Sequence, residues 1–126
     1  MDGIAANAGP QAPVLDVDRF DCYQLALEFQ AHAAGLLRRG AGSLRDQFDR
    51  ASASIALNVA EGFGRRARRE KAHFYCVARG STLECVAVID LAARRGLAEA
   101  TACAEGRLML VRLVQMLTRL EQRMRG

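Results

Sequence analysis

Tryptophan is absent from the 126-residue chain, and Phe, Tyr and Trp together make up only 6% of it. A chain so poor in aromatic residues, dominated instead by Ala, Leu and Arg, has strong helix formers and little that favours strands, which points to an all-α domain. No run of residues approaches the ~20 apolar positions needed to cross a bilayer, and no basic stretch followed by a hydrophobic one opens the chain. A cytoplasmic location without a membrane partner is therefore expected. Cys22, Cys76, Cys85 and Cys103 show no CxxC spacing. Cys76 and Cys85 fall inside an apolar helical pattern, so all four are expected to be reduced and structural. The length suits one domain with a single core.

Charge is unevenly placed. Up to Leu37, Asp2, Asp16, Asp18, Asp21 and Glu28 face Arg19 alone, whereas the remaining residues carry seventeen Arg or Lys against nine acids, giving net charges of −4 and +8. The basic part suits a polyanionic partner, and a positive surface also serves solubility.

Residues 1–18, with Pro10 and Pro13 and no sustained periodicity, are expected to form a flexible tail, and 19–126 the folded domain. A first helix is expected from Asp18 or Arg19 to about Arg38, with Phe20, Tyr23, Leu27, Ala31 and Ala34 on one face and Leu25, Phe29 and Leu36 on another. Gly40 and Gly42 break it. Ser43 is the expected N-cap of the second helix, with Asp46 answering it in the first turn. There Leu44, Phe48, Ala51, Ile55, Val59 and Phe63 recur at spacings of three and four, a core-facing stripe that runs out near Gly62 and Gly64. In the third helix, from Ala67 or Arg68 to Gly96, the expected seam is Phe74, Ala78, Ser81, Cys85, Val88 and Ala92.

The fourth helix, from about Glu99 to Met124, has apolar residues around most of its circumference, because Arg112, Gln115, Thr118 and Arg119 fill only about a third of it. One bundle core buries one stripe. Leu110, Leu113, Leu117 and Leu120 are therefore expected at an interface between identical subunits.

Motifs that could carry chemistry are weak. Gly62, Gly64 and Ala67 fit GxGxx(G/A), but a dinucleotide site needs a strand before the glycines, and a helix stands there. Glu70 and His73 form one Glu-x-x-His, whereas a di-iron bundle needs two copies and two further glutamates. No nucleophile, base and orienter assemble around Ser52, Ser54 or Ser81. No enzyme activity, metal or cofactor is expected. Glu84 shares a heptad position with Val77 and Leu91 and is expected beside the core, paired in a buried network with Arg50, Ser54, Asn58, Glu61 and Ser81. Finally, Arg65, Arg66, Arg68, Arg69 and Lys71 place five cations within seven residues at a helix start. That pattern suits phosphate contact, and it is equally a solvated charged turn.

The segments "RASASIALNVAEGFGR" and "HFYCVARGSTLEC", from Arg50 to Glu84, resemble the bacterial four-helix-bundle proteins encoded by intervening sequences of large-subunit ribosomal RNA genes. The matching motifs are Ser54-Ile55, Asn58 to Arg65, and Ala78-Arg79-Gly80-Ser81 followed by Glu84. A more distant architectural relative is the accessory variability protein of diversity-generating retroelements. The resemblance covers about Phe20 to Met124. It implies an antiparallel up-down-up-down four-helix bundle, a homo-oligomer commonly assembled as a pentameric ring, binding to RNA or DNA, and, in the retroelement branch, assembly with a reverse transcriptase. Leu57 stands where many relatives have Pro, which should leave the second helix straight. Asp49 stands where a basic residue is common. The first connection lacks the aromatic and proline content usual in these proteins.

Overall fold

In a computed structural model, residues 13–126 are described. Four helices, α1 (Asp21–Ala33), α2 (Ser43–Gly64), α3 (Arg68–Arg94) and α4 (Ala100–Arg125), follow a 3-10 turn at Asp16–Arg19. No strand occurs among the described residues. Each helix packs on its neighbours in sequence, and α4 closes the square against α1. Side-chain contacts fix the directions. Phe29 meets Phe48 edge to face at 5.9 Å and Phe20 meets Phe63 at 5.0 Å, so α1 and α2 run antiparallel. Arg79 reaches Thr118 at 2.8 Å and Arg107 reaches Asp90 at 2.7 Å, which sets α3 against α4 in the same sense. The topology is therefore up-down-up-down.

The stripe expected in α2 is the stripe that is buried: Leu44, Phe48, Ala51, Ile55 and Val59 line the core, while Phe63 is half-buried against Phe20. Helix α2 is unbroken through Leu57. In α1 the second expected face is the inner one, with Leu25 and Phe29 buried and Leu27 exposed. Helix α3 turns Ala72, Tyr75, Ala78, Thr82, Cys85, Val88, Ile89 and Ala92 inward, leaving Phe74 and Ser81 at the margin. The fully buried hydroxyls of Ser52 and Thr82 donate to the carbonyls of Asp49 and Ala78 on their own helices, so neither is left unsatisfied.

Four local expectations need correction. Helix α1 stops at Ala33, not Arg38, because Leu36 and Leu37 turn under the bundle into the core and the Arg45 guanidinium binds the carbonyls of Leu37 and Arg38 at 2.8 and 2.7 Å. Ser43 is the first residue of α2, with Gly42 at the cap position in a left-handed conformation (φ 59°) and no side-chain cap. The expected 1–18 tail lies outside the described residues up to residue 12, and its last part is structured: the Leu15 N–H donates to the Asp18 carboxylate at 2.9 Å at the start of the 3-10 turn. Cys22, Cys85 and Cys103 are buried free thiols, but Cys76 is exposed.

The expected subunit interface on α4 also changes. Leu110, Leu113 and Leu117 are completely buried in the chain's own core, and Leu120 is half-buried against it. The helix has two apolar faces, and the face carrying these leucines is the one covered by α1 and α3. The apolar surface left outside belongs to Leu108 and Val111.

One glycine explains how α2 and α3 approach. A Cβ on Gly62 would sit 2.8 Å from Tyr75 Cε1 and 3.2 Å from the Phe74 Cβ, so the helix ends come together only because that atom is missing. No helix among the described residues is long and apolar enough to cross a membrane.

Candidate nucleic-acid interface

The corner where α2 turns into α3 carries all five cations of the basic run, and the structure divides them. Lys71 donates to the carbonyls of Phe63 at 2.8 Å and Gly62 at 3.3 Å, capping the end of α2, and lies 5.7 Å from the Phe63 ring centre. Arg68 donates to the carbonyl of Arg123 in the last turns of α4. Arg65 pairs with Glu61 and stacks over the Phe74 ring at 5.0 Å. Three of the five cations are thus engaged by the protein.

Arg66 and Arg69 are exposed and make no hydrogen bond or ion pair among the described residues. They flank the start of α3, where the cap position is Ala67, whose side chain supplies no acceptor. The first amide groups of a helix have no intrahelical partner, and here no side chain caps them beside the two guanidinium groups that lack partners among the described residues. An open cavity of about 600 Å³ adjoins them, lined by Arg65, Ala67, Arg69, Glu70, His73 and Phe74. Glu70 and His73, the isolated Glu-x-x-His, lie in its wall, and no group of three or more metal-ligating side chains forms among the described residues.

The polar network expected around Glu84 is smaller than expected. The Ser54 and Ser81 hydroxyls meet at 2.8 Å, and the Asn58 amide donates to the Ser54 hydroxyl and carbonyl at 3.0 and 2.9 Å. Arg50 and Glu84 are exposed and take no part, and Glu61 is drawn to Arg65 instead. Val77 and Leu91, which share the heptad position of Glu84, are also exposed, so that position faces outward.

A second basic end is assembled by the fold. The Arg38 N–H donates to the Leu97 carbonyl at 2.7 Å and its guanidinium to the Gly96 carbonyl at 3.1 Å, which brings the pair Arg38 and Arg39 beside Arg94 and Arg95. Its mark in the sequence is a repeated Arg-Arg-Gly, beyond α1 at Arg38–Gly40 and at the end of α3 at Arg94–Gly96.

The family model described as 23S rRNA-intervening sequence protein matches residues 19–119. The chain belongs to this family. The match begins within the 3-10 turn and ends in the penultimate turns of α4, so it covers the structured bundle, including the basic corner and the serine pair. No curated protein matches the chain at a significant level.

Proposed function

We propose that this family member is a non-enzymatic nucleic-acid-binding bundle that engages phosphates through the corner between α2 and α3 and acts as a homo-oligomer, the pentameric ring being the assembly its resemblance implies. In that role it would serve as a ribonucleoprotein or reverse-transcriptase accessory module. The observation that carries the reading is the pair Arg66 and Arg69, two exposed guanidinium groups without a hydrogen-bond or ion-pair partner among the described residues, beside an uncapped helix start. Guanidinium forks and free amides both suit phosphate oxygens. The opposite basic end is the weaker candidate. Arg38 and Arg45 are spent on carbonyls there.

The test is a salt-resolved titration with RNA and DNA. Log affinity should fall linearly with log salt, and Arg66→Ala with Arg69→Ala should lower the slope by about 2 per engaged subunit. Arg39→Ala with Arg95→Ala should change it less. If the parent binds neither nucleic acid at about 50 mM salt, where phosphate-driven binding is favoured, the reading fails.

The second reading, a protein-interaction scaffold without nucleic-acid binding, is favoured by the exposed Leu83, Leu91, Leu108 and Val111 on the outer faces of α3 and α4. Apolar residues exposed on two neighbouring helices suit a protein partner, and in a homo-oligomer that partner is another copy.

A further inference from the structure

The cavity at the α2–α3 corner is not lined as a plain phosphate site would be. It holds two arginines, but also a carboxylate, Glu70, and two aromatic rings. His73 is exposed, and its ring lies 5.1 Å from that of Phe74 with 71° between the planes, while the Arg65 guanidinium covers Phe74. Its volume, about 600 Å³, falls among those of small-molecule sites, roughly 300–1,000 Å³. On the reading that this corner binds nucleic acid, we propose that the cavity seats an unpaired nucleotide, so that the protein selects single strands over duplexes.

Each wall has a place in that assignment. Arg69 and His73 are four residues apart on the same face of α3, a rise of about 6 Å, so a phosphate at Arg69 leaves its base beside the His73 ring. Aromatic rings and guanidinium planes take bases on their faces, which needs a base free of its own stack. Glu70 repels phosphate and would disfavour a duplex backbone threading the cavity. Its two oxygens can accept together from the ring N–H and amino group on the Watson–Crick edge of an unpaired base such as guanine, an edge that pairing occupies in a duplex. Arg66, outside the cavity, supplies the charge that draws either kind of strand.

The experiment uses the full chain, a fluorescein-labelled RNA oligonucleotide without self-complementarity, and the duplex it forms with its complement, at one salt concentration. The parent should bind the single strand more tightly. His73→Ala should weaken single-strand binding about ten-fold, the loss of one stacked base, and leave duplex binding unchanged. Phe74→Leu, which keeps the bulk but removes the ring, should act in the same direction. Arg66→Glu with Arg69→Glu should weaken both. If the two ring variants bind the single strand as the parent does while the arginine variant fails, the corner binds nucleic acid but does not seat a base, and the proposal is overturned alone. Equal weakening of strand and duplex by His73→Ala would overturn it too, since His73 would then be a phosphate contact. Binding of neither ligand by the parent overturns this proposal together with the function it rests on.

Discussion

The Ser54 and Ser81 hydroxyls lie 2.8 Å apart across the seam between α2 and α3, and the Asn58 amide donates to the same Ser54 oxygen. This small cluster is half-buried and closed on itself, whereas Glu84, one turn along α3, stands in solvent. Ser81→Ala should therefore cost about 1 kcal/mol, as expected for one lost hydrogen bond. Glu84→Ala should stay within about 0.5 kcal/mol of the parent, as surface changes do. Urea unfolding of the two variants checks both values. A double-mutant cycle of Ser54→Ala and Ser81→Ala should show coupling.

Glycines on neighbouring helices should respond oppositely to alanine. Tyr75 is only 3% exposed, so its ring has nowhere to go when a Cβ at Gly62 arrives 2.8 Å from it. Gly62→Ala should lower stability by about 1–3 kcal/mol, the usual cost of overpacking. Gly80 in the middle of α3 has nothing within 4 Å of a new Cβ. Gly80→Ala should raise stability by about 0.5–1 kcal/mol through helix propensity. Thermal melts of the pair provide the comparison.

Leucines of α4 should separate folding from assembly. Leu113 and Leu117 are fully buried within one chain, so arginine at either should abolish the fold through an unpaired buried charge. Leu108 is 66% exposed, so Leu108→Arg should keep the helical circular dichroism of the parent. If the outer face of α4 joins subunits, the same change should reduce the mass found by light scattering during gel filtration. A parent that is monomeric at micromolar concentration would remove the oligomer from the proposal.

Two cations of the basic run should act on stability more than on binding. Lys71→Met removes the donor that caps the Gly62 and Phe63 carbonyls, and Arg68→Ala frees the Arg123 carbonyl. Each should cost about 0.5–1.5 kcal/mol. Arg66→Ala and Arg69→Ala, whose side chains make no hydrogen bond or ion pair among the described residues, should melt like the parent. Differential scanning fluorimetry on the four variants decides.

Burial pushes the Cys22 and Cys85 thiols from 9.0 up to about 12, with Glu84 adding to the rise at Cys85. In the unfolded chain these thiols lose their protons near pH 9, while the native state holds them until about 12. Stability contributed by the protonated thiols is therefore complete below pH 9 and lost as pH rises through that window. Cys22→Ala with Cys85→Ala should flatten the fall in urea midpoint between pH 9 and 11. In native protein at pH 8 an alkylating reagent should label the exposed Cys76 first, as peptide mass mapping would show.

The chain's local chemistry was enough to set the four helices. The glycines at 40, 42 and 96 all adopt positive φ, where side-chain-bearing residues are strained, and two of the three connections form around them. The α2 stripe from Leu44 to Val59 is legible because one residue type recurs on one azimuth, and only one face of that helix could be buried. What a single sequence leaves open is which azimuth faces inward when two would serve. On α4 the choice between Leu110, Leu113 and Leu117 inside and Leu108 and Val111 outside is made by α1 and α3 packing against it. On α3, spacing put Val77, Glu84 and Leu91 together, but only the bundle turned them outward. The basic run shows the same limit. Five cations in seven residues are visible in the sequence, yet the partner of Arg68 lies 55 residues away, and that of Lys71 is the end of the preceding helix. Which cations remain free for a ligand is decided by tertiary structure, because carbonyl groups at helix ends compete for them and only packing brings those ends within reach.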